Sequence, residues 1–325
     1  MNPFGYVLAE SPSAALTEIA NDRGARFIAG GTNILDLMKD AVETPSTLID
    51  INALPLADIE RGDRELRIGA LARMSDVARH SDVRALFPMV AIALDESASP
   101  QLRNMGTMGG NLLQRTRCAY FRDVATPCNK RAPGSGCGAL RGVNRTEAVL
   151  GTSEACIAAH ASDVAVAFVA LDSVVHTLGT GGSRAIPLAE FYRTPGQTPQ
   201  IENALQPGEM IVAVSIPIVP WAKSSTYVKV RDRAQYEFAL ASAAVALDID
   251  GGIVRNARVA LGGIATIPWR SHAAEAELVR KPATNVTFER AAEAALSDAH
   301  GYAQNAFKIP LAKRTLVRAL ETVSA

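Results

Sequence analysis

Residues Phe27-Ile28-Ala29-Gly30-Gly31-Thr32-Asn33 (FIAGGTN) lie between a short apolar run and a second one, Ile34 to Met38. Ala25 to Ala29 reads as a strand, Gly30 and Gly31 as a turn, and a helix is predicted from Thr32 or Asn33. Thr47 to Ile51 (TLIDI) reads as the next strand. Strand, glycine turn, helix and strand make a β-α-β unit, which predicts a parallel pair. Glycines let a backbone approach a ligand closely, and free N–H groups at a helix start favour an anion. The segment is neither GxGxxG nor a Walker loop. From these residues alone, a diphosphate cradle and an ordinary tight turn stand equal.

Upstream, Ser11-Pro12 opens a helix in cap-then-proline order, with Ala15, Leu16 and Ile19 as its apolar face. Downstream, Leu66 to Leu71 alternates as a strand, and Asp82 to Ser97 reads as a buried helix started or bent by Pro88. A second glycine bend follows in NMGTMGGNLL (Asn104 to Leu113). A polar insert then runs from about Gln114 to Glu154. Val164 to Leu171, Val174 to Leu178 and Met210 to Ile216 read as strands. Past Pro220, Ser225 to Val230, Ala239 to Ile249 and Val254 to Leu261 predict three antiparallel strands, the last two joined at Asp250-Gly251-Gly252. Helices are predicted around Ala273 to Arg280, Phe288 to Ser297 and Leu311 to Val323.

The 325 residues exceed what one core usually holds, so two or three subdomains are expected. Lys plus Arg equals Asp plus Glu at 33 each, which gives no long-range pull on nucleic acid or an anionic membrane. The longest apolar run, Val164 to Leu171, is less than half of the roughly 20 residues needed to cross a bilayer, so no membrane insertion is expected. The N-terminal stretch lacks a signal-peptide pattern, which predicts folding in the cytoplasm. The histidines are scattered, and HExxH, GxSxG and CxxC do not occur. That predicts no acid–base or nucleophilic constellation of the chain's own, and fits a reaction whose chemistry a cofactor carries.

All four cysteines, Cys118, Cys128, Cys137 and Cys156, lie in one window with spacings C-x9-C-x8-C-x18-C. This is too little cysteine for a disulfide scaffold. The spacing lacks both zinc knuckles and the compact ferredoxin run. Arg115, Arg117, Arg122, Lys130, Arg131, Arg141 and Arg145 surround the window and would favour thiolates and an anionic cluster. Residue chemistry alone leaves iron–sulfur, zinc and four spare thiols level.

Taken together, IAGGTNILDLM followed by GTMGGNLL resembles the FAD-binding flavoprotein subunits of the xanthine dehydrogenase and carbon monoxide dehydrogenase family. Ala159-His160-Ala161-Ser162-Asp163 is similar to that family's acidic segment after GGN, displaced here by the insert. Gly208-Glu209-Met210-Ile211 up to Ile216-Pro217, and Lys229-Val230-Arg231-Asp232-Arg233, resemble two of its strands. The insert, with NLLQRTRC, PCNKR, PGSGC and SEACIA, is most similar to the flavoprotein subunits of bacterial periplasmic aldehyde oxidoreductases.

The resemblance implies an α+β, two-subdomain FAD-binding fold: a small parallel β-α-β unit plus a mixed antiparallel sheet. A C-terminal three-stranded antiparallel sheet with a helical bundle would follow. The implied organisation is an FAD-binding domain over 1–219, divided into 1–55 and 56–219 with an Fe–S insert at about 114–156, then a C-terminal flavoprotein domain over 220–325. Implied FAD contacts are Phe27, Ile28, Ala29, Gly30, Gly31, Thr32, Asn33 and Ile34, with Ile28 to Asn33 around the diphosphate. Thr107, Gly110 and Asn111 would line the flavin–ribityl region. Ser162, Asp163 and Ile211 would add contacts, Asp163 to a hydroxyl, and Lys229 would lie near the ring. Tyr236 is placed over the flavin by its loop position, with a core aromatic as the equal alternative.

The resemblance also implies a 4Fe–4S cluster on Cys118, Cys128, Cys137 and Cys156; because metal binding would pin a loop that lacks its own core, a structural role is expected, with electron transfer as the alternative. It implies a molybdenum-cofactor large subunit, a small subunit with two 2Fe–2S centres, and export to the periplasm with a twin-arginine partner; the cytoplasm is the alternative. Implied function is electron transfer from the 2Fe–2S centres through FAD to an outside acceptor. The alternatives are an autonomous flavin oxidase or reductase, and a zinc-stabilised scaffold.

Overall fold

The computed structural model describes all 325 residues. Three sheets carry it. The first contains β1 (Gly5–Leu8), β2 (Arg26–Ile28) and β3 (Thr47–Asp50) in the order β1-β3-β2, all parallel. Phe27 pairs with Ile49 across β2 and β3, as the β-α-β reading requires. Helix Pro12–Asn21 is started by Ser11, whose Oγ accepts from the Ala14 N–H at 3.1 Å. The second helix spans only Ile34–Lys39, one or two residues later than expected.

The second sheet contains β4 (Ile59–Arg61), β5 (Glu65–Gly69), β6 (Val174–Gly179), β7 (Gly182–Pro187) and β8 (Met210–Pro217). Its order is β4-β5-β8-β6-β7, with every neighbouring pair antiparallel. The third contains β9 (Ser225–Val230), β10 (Ala241–Asp250), β11 (Ile253–Gly262) and the two-residue β12 (Trp269–Arg270), ordered β12-β11-β10-β9. The predicted three strands are thus extended by a short fourth. Helices His272–Leu278, Asn285–Ala295 and Lys308–Ser324 share a core with this sheet. No helix is long and apolar enough to cross a membrane.

Two predictions are corrected. Val164 to Leu171 is not a strand: Asp163–Ala170 is a helix with all eight residues buried, part of the largest core cluster. A short run that is apolar all round carries no period, so strand and helix look alike in it. The deciding signal is at its edge. Ser162 Oγ accepts from the Ala165 N–H at 3.1 Å, and Asp163 follows as an acid in the first turn. The single helix Asp82 to Ser97 is two helices, Ser81–Leu86 and Pro88–Asp95, with Pro88 starting the second.

Candidate functional site

A cleft of about 1090 Å³ opens where the loop after β2, the second glycine bend, β8, β9 and the loop after β9 converge. The first bend supplies one wall. Gly31 has φ +72°, a conformation that suits glycine. A Cβ on Gly30 would lie 2.0 Å from the Met105 carbonyl oxygen. The two glycine bends, distant in sequence, therefore press together at residues 30 and 105. Asn52 Nδ2 holds the Ala29 carbonyl at 2.9 Å, and Arg73 in turn holds Asn52 Oδ1 at 2.9 Å.

The main-chain N–H groups of Gly30, Gly31, Thr32 and Asn33 have no main-chain acceptor. Asn33 Nδ2 is buried without a partner, while its Oδ1 accepts the Arg115 N–H at 3.4 Å. Four successive free donors plus an orphaned amide at a cleft wall suit a diphosphate, because unpaired buried N–H groups are otherwise costly. The following helix is six residues long, so loop amides rather than a long helix dipole supply the attraction.

The second bend works differently from the expectation. Met108 N–H donates to Ala72 O at 3.0 Å, Gly109 N–H to Ala70 O at 2.8 Å, and Gly110 N–H to Thr107 Oγ1 at 3.3 Å. Its amides are satisfied within the chain, so this bend shapes the wall. Gly109 is required by Ala70, whose Cβ would lie 3.0 Å from an added methyl.

Of the residues expected at the site, Phe27, Ala29 to Ile34, Thr107, Gly110, Asn111, Asp163, Ile211, Lys229 and Tyr236 all line the cleft. Ile28 and Ser162 do not. Ile28 packs behind Gly31, and Ser162 Oγ donates to Asn111 Oδ1 at 2.5 Å from behind.

Asp163 and Lys229 face each other rather than standing free. Lys229 Nζ donates to Asp163 Oδ2 at 2.8 Å, with side-chain exposures of 1% and 7%. Tyr227 Oη donates to Asp163 Oδ1 at 2.7 Å and Ser97 Oγ to Oδ2 at 3.2 Å. Burial, and then the Asp163 charge, push the Tyr227 hydroxyl well above its ordinary pKa. Lys229 also donates to the Glu96 carbonyl at 3.0 Å. An ammonium has three donors, so one N–H of Lys229 is left for the cleft.

Tyr236 is 55% exposed with φ +56°, at the mouth rather than in a core. Arg233 Nη2 donates to its carbonyl at 2.7 Å. Phe238 (41% exposed) and Arg117, whose guanidinium lies 4.9 Å from the Phe238 ring centre, also line the cleft. Sequence reasoning missed both. Arg117 was visible only as one cation of the insert, and Phe238 shares its short loop with Tyr236.

Every carboxylate lining the cleft is held in an ion pair: Asp36 with Arg117 and Arg122, Glu43 with Arg115, Asp163 with Lys229, Glu202 with Arg115 and Lys130, Glu209 with Arg184, and Glu237 with Arg233. No histidine lines it. The cleft can hold and orient a ligand, and it offers no unpaired carboxylate and no histidine.

The four cysteines line one small separate cavity, and all are free thiols. Cys118, Cys128 and Cys156 are buried with Phe121, Ala139, Ile157 and Ala158. Leu37, from the helix after the first glycine bend, completes that core. Cys128 and Cys137 face each other in an isolated antiparallel bridge. No three His, Cys, Asp or Glu side chains converge as a single ion requires. Four thiols on one cavity are the donor set that an iron–sulfur cluster or a zinc ion would use. Burial raises the Cys118 thiol and pushes Cys156 up to about 11, so metal loading here must release protons.

The expected ring of cations is corrected. Arg115, Arg117, Arg122 and Arg145 pair with carboxylates, and Arg131 donates to carbonyls of Tyr120, Phe121 and Thr126. Lys130 alone among the basic residues lines the cysteine cavity.

Residues 2–219 match the family described as "FAD binding domain in molybdopterin dehydrogenase", and residues 226–323 match "CO dehydrogenase flavoprotein C-terminal domain". The chain is 50% identical over 327 residues to the aldehyde oxidoreductase FAD-binding subunit PaoB of Escherichia coli (strain K12), covering 100% of this chain and 99% of that one. It is 26% identical to the carbon monoxide dehydrogenase medium chain of Afipia carboxidovorans, covering 96% and 92%. Among solved structures, the Cu,Mo-CO dehydrogenase shares the fold at TM-score 0.78 and 22% identity, over 100% of this chain and 99% of that one.

Proposed function

The chain belongs to the FAD-binding family of molybdopterin dehydrogenases, and from that premise we propose that it is the FAD-carrying, electron-transferring subunit of a molybdenum-containing aldehyde oxidoreductase. The aldehyde substrate class is taken from its 50% identical relative. One observation carries the reading: a row of free amides at Gly30 to Asn33, beside the orphaned Asn33 Nδ2, facing a cleft whose acids are all neutralised.

These amides and Asn33 would hold the FAD diphosphate. Thr107, Gly110 and Asn111 would form the wall along the ribityl chain, with Asn111 oriented by Ser162. The remaining N–H of Lys229 would meet the ring, and Asp163 fixes that ammonium in place. Tyr236 would cover the mouth. When bound, FAD supplies the exchange between one-electron donors and a two-electron acceptor. A protein doing this has to place and insulate its cofactor, not move substrate protons. The ion-paired cleft fits that task better than an autonomous flavin oxidase, which needs its own base.

The proposed partners are a large molybdenum-cofactor subunit and a small subunit with two 2Fe–2S centres, in a heterotrimer. Electrons would enter from the small subunit and leave to an outside acceptor. We assign a 4Fe–4S cluster to Cys118, Cys128, Cys137 and Cys156, with Lys130 as the facing cation. The proposed location is the periplasm, reached together with an exported partner. Purified chain should carry FAD and iron, and co-purification should bring molybdenum. Cys137→Ser should lose the iron and keep the fold. A colourless chain would overturn the flavin assignment, and unchanged iron in the variant would remove Cys137 from the ligand set.

A further inference from the structure

Between the cleft and the cysteine cavity lies a third, small polar chamber. Gln114 and Glu202 face both the cleft and this chamber, while Lys130 and Ala158 face both the chamber and the cysteine cavity. Glu202 stands in the dividing wall. One of its oxygens accepts Lys130 Nζ at 2.8 Å and the other accepts Arg115 Nε at 2.6 Å. Burial alone would raise its pKa, but Lys130 and Arg115 outweigh burial and hold it below the ordinary range.

Each cation reaches a different site. Lys130, only 11% exposed, lines the cysteine cavity. Arg115 lies 4.5 Å over the ring of Phe121, which packs among the cysteines. Its main-chain N–H also donates to Asn33 Oδ1 at 3.4 Å, and Asn33 lines the cleft. The continuous sequence is therefore cysteine cavity, Lys130, Glu202, Arg115, Asn33, cleft.

We propose that Glu202 is a positioning residue that couples the two sites, so that iron on the cysteines strengthens FAD binding in the cleft. This rests on the reading that the four cysteines carry an iron–sulfur cluster. An anionic cluster holds the insert together and holds Lys130 against the cysteine cavity. Lys130 then neutralises the Glu202 oxygen nearest to it. Without the cluster, the insert keeps its ion pairs to Glu43, Asp36, Asp40 and Asp232, but no anion in the cysteine cavity holds Lys130 in place. Glu202 is then left half-neutralised at the cleft wall, where it repels an anionic diphosphate. Linkage makes the effect mutual: FAD bound in the cleft must raise the affinity for iron by the same factor.

The test is a fluorescence titration with FAD of the full chain, iron-loaded and chelator-stripped, for wild type, Glu202→Gln and Lys130→Gln. Stripping iron should weaken FAD binding about tenfold in the wild type and less than about twofold in either variant. Lys130→Gln leaves Glu202 in place, so it decides the matter if Glu202→Gln does not fold. Glu202→Asp should restore most of the difference, which a merely structural role would not do. A wild-type ratio within about twofold overturns the coupling, as does a full tenfold ratio in both variants. A wild-type chain that binds no iron overturns the cysteine assignment and the coupling with it. An iron-bearing chain with iron-independent FAD affinity overturns the coupling alone.

Discussion

Gly30 and Lys308 show how single residues set this molecule. No side chain fits at Gly30, because the Met105 carbonyl occupies the Cβ position. Gly30→Ala must push the two bends apart, at a cost of about 1–3 kcal/mol. The variant should melt lower and lose most of its retained flavin; a variant purified with full flavin would contradict the close approach. Lys308 is fully buried, and its Nζ faces carbonyls of Thr146, Glu147 and Gly263, all three of which the ammonium can serve and two of which the neutral amine can. It thereby ties the end of the cysteine insert to the last helix. Burial lowers its pKa from 10.5 to about 7, against the pull of Glu147. Between those two values the unfolded chain holds the extra proton, so stability from this group rises with pH, by up to roughly 1.4 kcal/mol per unit. The melting-temperature advantage of wild type over Lys308→Met should therefore grow from pH 7 to pH 9. A constant gap would show that the folded chain keeps the proton.

At the scale of elements, Asp163 joins the start of a buried helix to β9 and to the end of helix Pro88–Asp95, through Lys229, Tyr227 and Ser97. Removing one charge of a buried pair leaves the other uncompensated. Asp163→Ala should thus cost about 3–5 kcal/mol in urea unfolding, and adding Lys229→Met should recover part of it. No recovery would mean that the pair is not a closed electrostatic unit. Strands β10 and β11 were legible in the sequence because Asp250-Gly251-Gly252 marks the turn between them. The parallel β2–β3 pair was legible from its glycine turn. β1, β4, β7 and β12 were not: β1, β4 and β12 are two to four residues long, and the six-residue β7 is half polar and exposed, so its pairing with β6 sets it. Helix Asp163–Ala170 was misread because an unbroken apolar run has no period, although its Ser162 cap was in plain view. At the site, the glycine bends could be read as residues. The Asp163–Lys229 pair, and the ion pairing of the insert's arginines, could not, since both depend on neighbours dozens of positions away.

Over the whole molecule, three sheets meet around one cleft, and every carboxylate that lines it is ion-paired. The first glycine bend offers donors and the second offers a wall, so recognition should concentrate on the diphosphate of a dinucleotide rather than on the ring. That asymmetry is open to direct measurement by titrating the chain with FAD and with riboflavin and following flavin fluorescence. FAD should bind at least about a hundredfold more tightly, a difference of roughly 2.7 kcal/mol supplied by Gly30 to Asn33. Riboflavin binding within about threefold of FAD would contradict the assignment of that loop to the diphosphate, and with it the account of the cleft.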